Sequence, residues 1–228
     1  MDGRKIEHNP CTIRGGGSAK TAKEVTVAKP AQVDQIAPAV PERFACMVLL
    51  GAWAGLRFGE LAALRRRDLD LDRAVVHVRR AVVVVGHRQE EGTPKSAAGK
   101  REVAFHQSLV EPLRQHLEEH AQPGPDGLLF PGANGGWLRP SSFWGIFDVA
   151  RKAAGWEGDF HDLRHTGISA YSKLPGVTVK ELLRWSGHST LGVSLRYPHV
   201  DEEDARDLVQ GMQVGDERVV PMRQRRAK

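Results

Sequence analysis

Four side chains within forty positions have the types needed to handle a phosphate. His161 and Arg164 stand three apart in H-D-L-R-H-T, His188 lies in G-H-S, and Tyr197 follows that histidine by nine residues in R-Y-P-H-V. A phenol attacks phosphorus once a base or nearby cations remove its proton, whose ordinary pKa is about 10. The transition state carries extra charge on its non-bridging oxygens. Planar, permanently charged guanidinium groups meet that charge with paired donors, each worth roughly 3–4 kcal/mol of barrier when well placed. The leaving oxygen needs a proton, which a lysine can supply. Cations that neutralise the phosphate remove the need for a divalent metal, and the sequence has no carboxylate cluster of the two-metal kind. Tyr197 is accordingly read as the group that attacks phosphorus.

These residues need elements to position them. Pro30 and Pro41 each open a helix, since proline is tolerated in a first helical turn. The second helix, PERFACMVLLGAWAG, is apolar on nearly every side and reads as buried in the centre of a domain. Gly55-Leu56-Arg57-Phe58-Gly59-Glu60 interrupts it. An arginine after so apolar a helix is costly unless paired, and Glu60, one helical turn on, is its natural partner. The pair reads either as a structural ion pair or as an arginine presented at a site with Glu60 behind it. Ala74–Val78, Ala81–Val85, a short stretch near Arg88–Glu90 and Arg101–Phe105 read as strands of a three-stranded antiparallel meander. Val82–Val85 is read as buried. Lys95 sits at the start of the basic, Gly/Ala-rich loop TPKSAAGK, where a lone lysine is ordinarily solvated surface.

Further along, Ser108 is a candidate cap for LVEPLRQHLEEH, Ser141 or Ser142 for FWGIFDVARKAAG, Asp159 for the helix carrying His161, Arg164 and His165, and Thr178 for VKELLRWSG. Two more helices are expected over about Ser189–Tyr197 and residues 201–212. The order is helices, a small sheet, then helices: an α+β fold, mostly helical, with the sheet on one edge. Residues 1–29 read as a linker, 30–212 as the catalytic domain and 213–228 as a basic, disordered tail.

Composition sets broad bounds. The chain has 228 residues and a net charge of +5, which suits an anionic partner. Cys11 and Cys46 offer neither a disulfide framework nor metal spacing. No apolar run is long enough for a membrane span, and the N-terminus has no signal-peptide core, so a cytoplasmic protein is expected. His161 and His165, four apart, have the spacing of a zinc pair. Asp162 stands where the H-E-x-x-H pattern has its glutamate, Arg164 disfavours a metal, and no third ligand is evident. His165, Tyr171 and Trp185 are read as structural.

Arg57 in G-L-R-F-G-E, Lys95 before a strand, His161-x-x-Arg164, Gly187-His188-Ser189 and Tyr197 occur in an order that resembles the catalytic domain of tyrosine recombinases, the phage integrases. The resemblance covers about residues 30–210. It implies that Tyr197 is the nucleophile, forming a 3′-phosphotyrosyl link and freeing a 5′ hydroxyl. Arg57 and Arg164 would clamp the scissile phosphate, Lys95 would protonate the leaving oxygen, His161 would assist as base, and His188 would hydrogen-bond a non-bridging oxygen. Glu60 would orient Arg57. The implied partners are double-stranded DNA and further copies of the chain, as dimers and tetramers on DNA that exchange a C-terminal segment. No cofactor, metal or ATP is implied. The family's N-terminal core-binding domain is expected to be absent, because the chain opens about where it would end, and DNA binding by this chain alone is expected to be weak. Two other readings use the same residues: a DNA-binding remnant without catalysis, and DNA relaxation of the type IB topoisomerase kind.

Overall fold

The computed structural model describes residues 25–86, 88–92 and 100–187. Among them, seven α-helices surround a small amount of sheet. Helices α1 (Pro30–Ala39), α2 (Glu42–Trp53) and α3 (Phe58–Ala62) lead to strands β1 (Leu69–Asp70), β2 (Val75–Val78), β3 (Ala81–Val85), β4 (Arg88–Gly92) and β5 (Arg101–Ala104). Helices α4 (Val110–Glu119), α5 (Pro140–Ala153), α6 (Phe160–Ser172) and α7 (Val179–Ser186) follow. The mostly helical α+β architecture expected from the sequence is the one observed.

Helix α2 forms the spine. Phe44, Met47, Val48, Leu50 and Ala52 are essentially without solvent contact, as its all-round apolar sequence requires. It packs closely on α6, and the approach depends on a missing side chain: a Cβ on Gly167 would lie 2.2 Å from the carbonyl oxygen of Ala52. Before α1, Ala28 is buried and its N–H donates to Thr166 Oγ1 of α6 at 2.9 Å.

The sheet differs from the expected meander. A three-stranded antiparallel sheet is present, but its order is β1-β2-β5, and β3 and β4 form a separate two-stranded hairpin. Val76 pairs with Val103 and both are fully buried, so β5 fills the place beside β2 that a meander would give to β3. Between β2 and β3, Arg80 reaches back to the buried Asp68, Nη1 to Oδ2 at 2.6 Å, and carries the chain away from β2. Strand β3 then runs against the start of α3, where a Cβ on Gly59 would meet the carbonyl oxygen of Val82 at 2.3 Å. Only Val82 of β3's valines is buried; Val83, Val84 and Val85 are exposed, contrary to the expected buried strand.

Two of the expected caps also differ. Helix α5 begins at Pro140, before either serine can act as cap. Ahead of α4 the side chain of His106 accepts from the N–H of Ser108, which lies inside a 3-10 turn. Asp159 and Thr178 cap α6 and α7 as expected.

Candidate active site

An aromatic cluster sets the spacing of the site. Phe58 opens α3 and Phe160 opens α6, and their rings meet edge to face with centroids 5.9 Å apart. Phe143 of α5 packs against both, at 5.8 and 5.1 Å, and against Phe44 of α2 at 5.3 Å. Such pairs add about 0.5–1.5 kcal/mol beyond their buried area. Arg57 immediately precedes Phe58, and His161 immediately follows Phe160, so the ring contact brings the two polar residues to neighbouring helix starts.

Arg57 sits where α3 begins. Its backbone N–H donates to Glu60 Oε2 at 2.9 Å, and its Nη1 to Glu60 Oε1 at 2.8 Å. Nη2 donates to the carbonyl of Gly187 at 3.3 Å. The Arg57 side chain keeps 38 % of its surface exposed, against 2 % for Glu60. The carboxylate is thus the buried support and the guanidinium the presented group.

Glu60 has a second arginine, which the sequence reading left as an ordinary strand residue. Arg101 of β5 donates from Nη1 to Oε1 at 3.0 Å and from Nη2 to Oε2 at 3.1 Å, while its Nε donates to the carbonyl of Trp185 at 3.0 Å. One signal was available: in R-E-V-A, alternation places Arg101 on the same inward face as the buried Val103, and an inward arginine demands a buried acceptor.

Arg164 lies within the second turn of α6, almost completely buried. Its Nη1 donates to the carbonyl of Gly55 and its Nη2 to that of Ser186. These two carbonyls belong to the turn after α2 and the end of α7, so Arg164 ties three segments together. Its Nε–H is buried with no hydrogen-bond partner. Burial, and then the charge of Arg57, pull its pKa down to about 9, which still leaves it cationic at neutral pH. Gly55 permits the arrangement: its φ is +60°, and a Cβ there would lie 2.7 Å from the Trp185 ring. That ring is stacked on Tyr171 at 4.7 Å and donates from Nε1 to the carbonyl of Ala104.

His161 occupies the first turn of α6 and is exposed. Packing around its imidazole, followed by the charge of Arg164, lowers its pKa from the ordinary 6.5. The ring is therefore neutral at pH 7 and able to accept a proton. His165, one turn on, meets it edge to face at 4.9 Å.

Of the residues singled out in the sequence, Arg57, Glu60, His161 and Arg164 converge here. Lys95, His188 and Tyr197 lie outside the described residues, as do the helices expected over 189–197 and 201–212. Three guanidinium groups around one carboxylate leave a local excess of positive charge, with a partly exposed arginine and an imidazole of lowered pKa among them. Such a site suits a phosphate oxyanion.

The sequence model of the phage integrase family matches residues 27–204. The chain belongs to the phage integrase family. A putative prophage phiRv2 integrase of Mycobacterium tuberculosis is 40% identical over 207 residues, covering 89% of this chain and 55% of that protein. The integrase of Mycobacterium phage L5 is 30% identical over 216 residues, covering 91% of this chain and 56% of its own length. This integrase-family chain thus spans about half the length of the curated relatives it matches. Among solved structures, the Tn1549 transposon integrase in complex with circular intermediate DNA superposes with a TM-score of 0.68 at 21% identity, covering 83% of this chain and 68% of that one. The XerA recombinase gives a TM-score of 0.63 at 20% identity, covering 85% and 66%. These likenesses show that the integrase-family chain has the fold of those proteins. No helix of the described residues is long and apolar enough to cross a membrane.

Proposed function

We propose that this chain performs site-specific DNA strand cleavage and rejoining through a covalent phosphotyrosyl intermediate. The phenolic oxygen of Tyr197 attacks the scissile phosphorus and forms a bond to the 3′ phosphate. The bond from phosphorus to the 5′ oxygen breaks. His161 takes the phenol's proton, and Lys95 gives one to the departing 5′ oxygen. Arg57, Arg164 and His188 hold the non-bridging oxygens through the transition state. Attack by a 5′ hydroxyl on the phosphotyrosine reverses the step and rejoins a strand without ATP. The reading includes double-stranded DNA as substrate, self-association into dimers and tetramers on it, and a cytoplasmic setting.

The observation that carries this reading is the Arg57–Glu60–Arg101–Arg164 cluster: three guanidinium groups share one carboxylate, Arg57 is the partly exposed one, and His161, its pKa lowered in part by the charges of Arg164 and Arg57, lies beside them. The test is a nicked, trapping DNA duplex run on a denaturing gel. The chain gives a protein–DNA adduct, and Tyr197→Phe gives none while keeping its DNA affinity. An adduct undiminished in Tyr197→Phe overturns the assignment of the nucleophile.

A further inference from the structure

Arg57 is partly exposed, yet its guanidinium has two anchors among the described residues. Nη1 donates to Glu60 Oε1 at 2.8 Å and Nη2 to the carbonyl of Gly187 at 3.3 Å. Glu60 stands on a helix of only five residues. Gly187 is the glycine that ends α7, with a φ of +65°, and glycine is the residue freest to leave such a conformation. An arginine held by these two groups is only as well placed as they are.

Both anchors meet at Arg101. From the first position of β5 it donates to each oxygen of Glu60, Nη1 to Oε1 at 3.0 Å and Nη2 to Oε2 at 3.1 Å, and this paired grip stops the carboxylate from turning. Its Nε donates to the carbonyl of Trp185, two residues before Gly187, at 3.0 Å. The same guanidinium lies directly against Gly187: a Cβ there would stand 2.8–3.0 Å from Nη1, Cζ and Nε of Arg101. The contacts close a circuit, from Arg57 to Glu60, to Arg101, to the Trp185–Gly187 turn and back to Arg57. The Arg101 side chain is 3 % exposed and each of its three nitrogens is engaged, which suits support and not contact with a phosphate.

We infer that Arg101 is a positioning residue for the strand-cleavage step: it fixes both groups to which the Arg57 guanidinium is bonded and so holds that guanidinium in one orientation before DNA arrives. The inference rests on the proposed reaction, in which Arg57 binds a non-bridging oxygen. A donor already in place meets the developing charge without reorganising, and a misplacement of about 1 Å costs roughly 10²-fold in rate. Lysine at this position keeps the charge but has no planar fork, so it cannot hold both Glu60 oxygens and the Trp185 carbonyl together.

The test is a double-mutant cycle in single-turnover cleavage of the nicked trapping duplex, with the whole chain at saturating concentration and well below its melting range. Arg101→Lys slows cleavage by roughly 10–10²-fold, while its DNA affinity, read by fluorescence anisotropy, stays within about twofold of the parent's. In an Arg57→Ala background the same substitution slows cleavage by less than about threefold, because the group it aligns is gone. Arg101→Gln, which keeps one donor without the charge, is run beside it, and the variant that melts cooperatively carries the cycle. Val76→Ala, in the strand next to β5, lowers the melting temperature by leaving a cavity but cleaves at the parent's rate. An Arg101→Lys factor that persists in full without Arg57 overturns the inference and leaves the proposed reaction standing. So does an Arg101→Lys chain within about threefold of the parent's rate, or an equal slowing in Val76→Ala. Arg57→Ala at the parent's rate overturns the proposed reaction and the inference with it.

Discussion

A carboxylate enclosed by three guanidinium groups is under two opposing pressures. Burial raises the pKa of Glu60; the Arg101 hydrogen bonds and the charges of Arg101, Arg164 and Arg57 lower it and prevail, bringing it from 4.5 to about 2. A depressed carboxylate stabilises the fold fully above its unfolded pKa and loses that contribution as pH falls through the folded one. The window is therefore pH 4.5 down to about 2, and the contribution is about 3 kcal/mol. Urea unfolding followed across that range should show a steep acid limb that Glu60→Gln flattens. Arg101→Ala should cost about 3–5 kcal/mol at neutral pH, because it strips a buried carboxylate of its doubly bonded partner. His161 gives a kinetic counterpart. Its lowered pKa places the acid limb of single-turnover cleavage below the ordinary value of about 6.5, and His161→Ala should remove that limb and slow the step about 10²-fold. Arg57→Ala or Arg164→Ala should slow it by roughly 10²–10³-fold. A change under about threefold in either arginine variant would argue against a transition-state role. Arg57, Glu60, His161 and Arg164 were legible because each falls in a short motif whose spacing is one helical turn. Arg101 was not: its partner lies forty-one positions away, and Glu60 already had a local partner to account for it.

At the scale of elements, the helices among the described residues were legible and the sheet pairing was not. Amphipathic spacing, a proline at a helix start and Asp or Thr caps are local signals, and α1, α2, α6 and α7 fall where they point. Strand partnership is decided by what fills the neighbouring place. Here β5 returns to β2, and β3 is drawn to α3 through the bare backbone at Gly59. The same dependence on absent side chains governs the turn after α2. Gly55→Ala would force a left-handed backbone on a residue with a Cβ and drive that Cβ into Trp185. It should lower stability by about 1–3 kcal/mol, seen as a lower melting temperature. Because the carbonyl of Gly55 also holds Arg164, cleavage measured well below the melting range should fall too. Gly86→Ala, at a positive φ with nothing within 4 Å, should cost stability alone.

Across the whole molecule, a net charge of +5 has a consequence for the proposed function: counterion release should be the main source of DNA affinity. Binding measured by fluorescence anisotropy should weaken steeply between about 50 and 200 mM salt; a flat response would argue for apolar contacts instead. Chain geometry adds a constraint of its own. The carbonyl of Gly187 is fastened to Arg57, and Tyr197 follows Gly187 by ten residues. A stretch that long spans at most about 33–36 Å even when pulled straight. In the proposed function, the Cα of the Tyr197 nucleophile therefore stays within about that distance of the Arg57 of its own subunit. If it is delivered to a neighbour instead, the two clamps must lie within that radius, which limits how far apart two cut points on a shared duplex can stand.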